Sequence, residues 1–320
     1  MAGTADGRSP GAAPRIGFPT SRQLKYPYNT PMLMPLMKAL RPVQWVKNVF
    51  VLAPIVFAEH LADLDLLARV ALAFLAFCFA ASCIYLVNDL RDREDDRRHP
   101  LKKNRPIASG ALPVAMARMA SLALGAAALG MSFYLGRNFL IILAVYIGIN
   151  LLYSSWLKRK VILDVMAVSS GYVLRVMAGA AAIDVEVSKW LLLCSIFLAL
   201  FLIFSKRRHE LVLLADGAAG HRSVLSHYSE AFLDQMINVV TASTVVSYAL
   251  YCVDEGTIER FGSDRLIYTI PLVLFGIFRY LYLIYQKPEE RNPTEALLSD
   301  LPFVINVVLW GLLVLWIVYG

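Results

Sequence analysis

Nine apolar stretches, each close to the length of a bilayer crossing, dominate this chain. They run roughly over 43–60, 66–88, 113–135, 138–156, 161–183, 188–205, 233–252, 265–285 and 301–319. A hydrocarbon core about 30 Å thick takes about 20 apolar residues of helix. Inside lipid every backbone N–H and C=O must be satisfied within the segment, so helices are the expected form. Composition agrees: 58% of residues are hydrophobic and 17% charged, against about 45–50% and about 25% in soluble domains. The expected fold is all-α, a polytopic transmembrane helical bundle of nine spans. Two spans are irregular. The first is short, contains Pro54 and starts at a polar cluster; the fifth contains Arg175 and several glycines.

Residues 1–35 read differently. This tail is rich in Gly, Ala, Pro, Ser and Thr and has no apolar core of a signal peptide, so a disordered tail is expected. Residues 36–320 then form one transmembrane domain. The positive-inside rule orients it. Most of the 31 Lys and Arg fall in the tail and in the loops 89–112, 156–160, 206–232 and 286–300. The opposite loops hold only Arg69, Arg137, Lys189, Arg260 and Arg265. The basic side is expected to be cytoplasmic, which puts the N-terminus inside and the C-terminus outside. Cys78, Cys83, Cys194 and Cys252 lie in apolar segments without metal-ligand spacing and read as packing residues.

Charge bias explains basic loops but not the carboxylates among them. Asn88-Asp89-Leu90-Arg91-Asp92-Arg93-Glu94-Asp95-Asp96 continues the second span. If the helix continues, Asp89, Asp92 and Asp96 share one face at i, i+3 and i+7, with Asn88 beside them. Such a row of oxygen ligands suits Mg²⁺, which takes one or two carboxylates together with phosphate oxygens. A solvated loop with Asp95 and Asp96 paired to Arg97 and Arg98 uses the same residues differently. Lys102, Lys103 and Arg105 follow, before Pro106 and Ser109-Gly110. They suit phosphate oxygens or, equally, anionic lipid.

Asn88-Asp89-x-x-Asp92-x-x-x-Asp96, then Lys103-x-Arg105-Pro106 and Ser109-Gly110, resembles the first signature of the UbiA superfamily of intramembrane prenyltransferases. The resemblance covers the chain after residue 35 and implies a UbiA-like catalytic domain. It also implies a second acidic motif after the sixth span, where this chain instead has Ser205-Lys206-Arg207-Arg208-His209-Glu210-Leu211. Only Glu210 remains as a carboxylate there. That run, with Gln44-Trp45-Val46-Lys47-Asn48 before the first span, is similar to one branch of the superfamily, the decaprenyl-phosphate phosphoribosyltransferases of actinobacterial cell-wall synthesis.

The branch implies transfer of 5-phosphoribose from phosphoribosyl diphosphate (PRPP) to a polyprenyl (decaprenyl) phosphate. It implies Mg²⁺ as cofactor, held by Asn88, Asp89, Asp92 and Asp96. Asp89, Asp92 and Lys103 are the expected catalytic residues. Lys47, Asn48, Arg105, Tyr153, Lys158, Arg159, Lys206, Arg207 and Glu210 are the expected substrate-binding residues. The expected setting is the lipid bilayer of the cell membrane; nucleic acid is not an expected partner, and a homo-oligomer is left open. Asp164 is a further carboxylate that could pair with Lys158 or Lys160. Arg175 is expected to be buried and paired. An aromatic-acceptor prenyltransferase is the nearest alternative. A transporter is the alternative of another class, although transporter sites usually lie near the midplane.

Overall fold

The structure, a computed structural model, describes residues 33–99, 102–215, 224–286, 297 and 299–320. No strand occurs among the described residues. A short helix, α1 (Leu33–Leu40), is followed by a 3-10 segment (Pro42–Leu52) that runs straight into α2 (Ala53–Phe57). Then come α3 (Leu64–Arg91), α4 (Arg93–Arg98), α5 (Val114–Leu135), α6 (Arg137–Ser155) and α7 (Leu163–Ala182). The second half is α8 (Lys189–Ala215), α9 (Glu230–Val253), α10 (Glu255–Phe261), α11 (Ile270–Gln286) and α12 (Leu301–Tyr319). Residues 1–32 of the expected tail lie outside the described residues, while 33–35 belong to α1.

Among the described residues, eight helices are long and apolar enough to cross a membrane, and the chain is a multi-pass membrane protein. The first expected span differs. Pro42–Phe57 is a shorter apolar helix, and most of it has 3-10 geometry. A 3-10 turn rises about 2.0 Å per residue against about 1.5 Å in an α-helix. The 16 residues therefore extend over about 30 Å, the depth of the hydrocarbon core. A short sequence reaches that far because it is stretched.

Polar caps set several helix starts. The Asp63 carboxylate accepts from the backbone N–H of Asp65 and Leu66 to open α3. Ser229, Asp254 and Asp300 do the same for α9, α10 and α12. Gly136, at φ +112°, ends α5 and begins α6 in a single-residue turn, a backbone state open to glycine. At the same end of the bundle Arg69 on α3 donates to Ala182 O (2.7 Å) and Leu135 O (3.3 Å). One guanidinium thus closes the C-termini of α7 and α5, where orphan carbonyls carry partial negative charge.

Two apolar cores meet at α7. One packs Ala73, Ala76, Phe77 and Ala80 of α3 against Ala128, Phe139 and Leu143 of α5 and α6. The other joins Val165 and Tyr172 to Phe201, Phe204, Leu233, Ile237 and Tyr280 of α8, α9 and α11. The 3-10 segment lies between α3 and α7. Its closest approach is at Gly179, where a methyl group would collide with the Val51 carbonyl. Gly179 is therefore the small residue that admits a stretched helix here.

Candidate active site

The termini of α3, α5, α6, α7, α8 and α9 that carry the sequence motifs gather at one end of the bundle, the polar end. The hydrogen bonds Asn88 O to Asp92 N (2.9 Å) and Asp92 O to Asp96 N (2.8 Å) carry helical register from α3 into α4. Asp89 and Asp96 consequently stack on one face, as their spacing predicts, and both are buried. Arg105 joins them: a single terminal nitrogen lies 3.0 Å from Asp89 Oδ1 and 2.8 Å from Asp96 Oδ2. Arg41 reaches Asp89 Oδ1 from the other side at 2.6 Å and stacks on Tyr85. Arg97 fastens the following loop through Ala108 O (3.1 Å), while Ile107 and Leu112 bury beneath it.

The other members of the first motif stand at its edge. Asn88 and Asp92 are half-buried, and their side chains make no hydrogen bond or ion pair among the described residues. Lys103 is exposed on the loop. No group of three or more His, Cys, Asp or Glu able to hold a metal occurs among the described residues. The pair Asp89 and Asp96 nevertheless fits a divalent ion. A cationic nitrogen already lies between two of their oxygens, and Mg²⁺ uses one or two carboxylates with phosphate oxygens completing its shell.

The second motif is helical, because α8 runs past the expected end of the sixth span at residue 205 as far as Ala215. Lys206 and Glu210 share a face as predicted, with Nζ 3.8 Å from Oε1. Arg207 points the other way, into the bundle. It is 2% exposed. Its Nε donates to Asp164 Oδ2 (2.7 Å), and its terminal nitrogens donate to Glu210 Oε2 (2.7 Å) and Tyr153 Oη (3.1 Å). Asp164 thus pairs with Arg207, not with Lys158 or Lys160. A guanidinium facing α7 from the next helix is nearer than the loop lysines. Arg208 also has a carboxylate, Asp234 (2.6 Å), and it stacks on Tyr285. Much of the basic run is therefore matched inside the protein.

Tyr228 seals this second cluster. It donates to Asp164 Oδ1 (2.7 Å) and accepts from Ile162 N–H (2.7 Å). Ile162 has φ +67°, a conformation rare for a β-branched residue. Burial first, and the adjacent Asp164 carboxylate as well, push the Tyr228 phenol above its ordinary value. Tyr228 therefore stays protonated and keeps donating. Lys158 and Arg159 lie on the connection between α6 and α7, half-buried and exposed respectively.

Deeper in the bundle lies a third polar layer. Arg175 is 6% exposed. It donates to Asn48 Oδ1 (2.7 Å), Gly171 O (2.7 Å) and Tyr146 Oη (3.0 Å). Phe77, Tyr146 and Tyr172 surround its guanidinium. It is buried as expected, but its hydrogen-bond partners are an amide, a phenol and a carbonyl. Asn48 also donates to Cys78 Sγ (3.2 Å), so that cysteine is more than packing.

Residues 49–299 match the model of the UbiA prenyltransferase family. The chain belongs to this family. A decaprenyl-phosphate phosphoribosyltransferase of Mycolicibacterium smegmatis is 41% identical over 284 residues, covering 86% of this chain and 89% of that protein. One from Corynebacterium glutamicum is 38% identical over 291 residues, covering 89% and 86%. A UbiA homolog from Archaeoglobus fulgidus, solved bound to GPP and Mg²⁺, superposes with TM-score 0.67 at 20% identity, over 89% of this chain and all of that one. It shares the UbiA fold.

Against that fold, sequence reasoning missed Arg41, Tyr228 and Asp234. Arg41 stands three residues before Gln44-Trp45-Val46-Lys47-Asn48, and that adjacency was its signal. Tyr228 and Asp234 come from a distant segment and carry none.

Proposed function

We propose that this protein transfers 5-phosphoribose from PRPP to a polyprenyl phosphate of the decaprenyl class, releasing diphosphate. The observation that carries the reading is identity of 38–41% to decaprenyl-phosphate phosphoribosyltransferases over most of both chains. The polar end supports it. Carboxylates and cations there alternate at a helix terminus, within reach of a charged donor from water and a lipid acceptor from the membrane. This end is the cytoplasmic one by its Lys and Arg content, which puts the N-terminus inside and the C-terminus outside.

Asp89 and Asp96, with Asn88 and Asp92 at the edge, would hold the divalent ion, taken to be Mg²⁺. When bound, that ion neutralises the diphosphate leaving group, which is electrostatic catalysis. Arg105 and Lys103 contact diphosphate oxygens from the adjacent loop, and Lys158 and Arg159 contact them from the connection between α6 and α7. Lys206 and Glu210 hold the phosphate and hydroxyls of the ribose. Arg207 is a positioning residue: it fixes Glu210 and Tyr153 from inside. An oxygen of the lipid phosphate forms the new bond to C1 as the C1–O bond to diphosphate breaks, with inversion. A phosphate monoester is already ionised at neutral pH, so no side chain needs to remove a proton.

The test is purified protein in nanodiscs with radiolabelled PRPP and decaprenyl phosphate, with and without Mg²⁺. Labelled lipid should form only with the metal. No labelled lipid with Mg²⁺ present would refute the transfer. Prenylation of an aromatic acid from a prenyl diphosphate would replace it with the alternative activity.

A further inference from the structure

Lys47 is a half-buried ammonium with no hydrogen bond or ion pair among the described residues. Among the described residues, the charged side chains that act on it are cations: Lys206, Arg175 and Arg41. Arg41 has Asp89 and Lys206 has Glu210. Arg175, by contrast, is held only by neutral groups, so its full charge stands beside that of Lys47. Two cations without a carboxylate, inside a membrane bundle, are costly unless an anion joins them.

Depth indicates which anion. Trp45 Nε1 donates to Ser82 Oγ (3.0 Å), and Asn48 donates to Cys78. Lys47 therefore lies beside α3 between Ser82 and Cys78. At about 1.5 Å per residue its backbone is about 10–16 Å further into the bundle than Asp89. Its four-carbon stem can carry the ammonium part of the way back. A soluble donor enters from water and meets the Asp89 layer first. A lipid phosphate enters from the bilayer and passes this deeper layer with its apolar chain among the helices.

We infer that Lys47 binds the phosphate of the polyprenyl acceptor, and that Arg175 positions it by clamping Asn48 and adds a second positive charge behind it. The inference rests on the transfer proposed above. Lys47 would neutralise the phosphate oxygens that do not attack. The third oxygen then faces C1 on the side opposite the departing diphosphate. The dianionic monoester becomes a monoanionic diester, and the C1–O electron pair leaves with diphosphate. The Arg175 bond to Asn48 keeps the stretched segment, and so Lys47, at a fixed depth.

The experiment compares wild type, Lys47→Met, Lys47→Arg, Arg175→Gln and Arg175→Lys in nanodiscs. Lys47→Met should raise KM for polyprenyl phosphate about tenfold or more, with KM for PRPP within about twofold of wild type. Lys47→Arg should recover most of the lipid affinity. Arg175→Gln should raise KM for the lipid less, and Arg175→Lys should restore part of it. Direct binding separates the two phosphate sources. Thermal stabilisation by farnesyl phosphate, corrected for that by farnesol, should vanish in Lys47→Met, while stabilisation by ribose 5-phosphate persists. Loss of the ribose 5-phosphate response with the farnesyl phosphate response intact would assign Lys47 to the donor and overturn the inference. So would an unchanged KM for the lipid. Failure of the transfer reading appears separately, in the wild-type protein alone; the farnesyl phosphate comparison needs no turnover.

Discussion

Two acid–base clusters occupy the polar end, built from the same residue types and differing in their surroundings. In the first, Arg41 and Arg105 are about 30% exposed; both pair with buried Asp89, and Arg105 also pairs with buried Asp96. In the second, Arg207 and Asp164 are 2% and 0% exposed, and Tyr153, Glu210 and Tyr228 close around them. Cations at the edge of water can exchange one anion for another at small cost. A sealed pair cannot, since any rearrangement leaves a buried charge without a partner. In the proposed function the first cluster receives the ligand, and the second holds α7, α8 and the start of α9 together.

Removing one carboxylate from each cluster should separate these roles. Asp164→Ala takes the fully buried carboxylate from Arg207 and leaves it only the partly exposed Glu210, a loss of up to about 3–5 kcal/mol. The expected outcome is poor recovery of monodisperse protein and an early melting transition in detergent. A normally stable Asp164→Ala protein would make the two clusters equivalent. Asp89→Asn keeps the shape, and Arg105 keeps Asp96. Stability should hold while transfer falls on the order of 10²–10³-fold, as when one electrostatic stabiliser is removed. Turnover and melting measured on the same sample check both halves of that statement. At the opposite end, Arg69→Ala removes hydrogen bonds to two helix termini and should cost about 1–2 kcal/mol with kcat unchanged. A kcat effect there would mean that the far end couples to the site.

The span pattern was readable because lipid demands long apolar helices, and eight of the nine stretches form them. The first was harder. Its apolar content marks it as buried, but hydropathy does not distinguish 3-10 from α geometry, and Gly179, which admits it, is 128 residues beyond its contact Val51. The Asp89 and Asp96 face was legible because helical spacing alone places them together. The direction of Arg207 was not. A run of Lys and Arg at a span end looks the same whether each side chain faces water, ligand or a buried carboxylate. The partner that decides, Asp164, lies 43 residues earlier on another helix. The family resemblance supplied the reaction class; the geometry redistributed the roles among the cations.

The stretched segment Pro42–Leu52 also acts as a ruler. Recoiled into α geometry, its 11 residues would shorten by about 5 Å, roughly one helical turn. The reading frame of side chains along it would rotate as well, carrying Lys47 and Asn48 off their present facings. Holding the stretched form needs fixed points along it. Trp45 and Asn48 bonded to α3, and Val51 against Gly179, are those points. Those contacts set the height of Lys47 and Asn48 along α3 and α7.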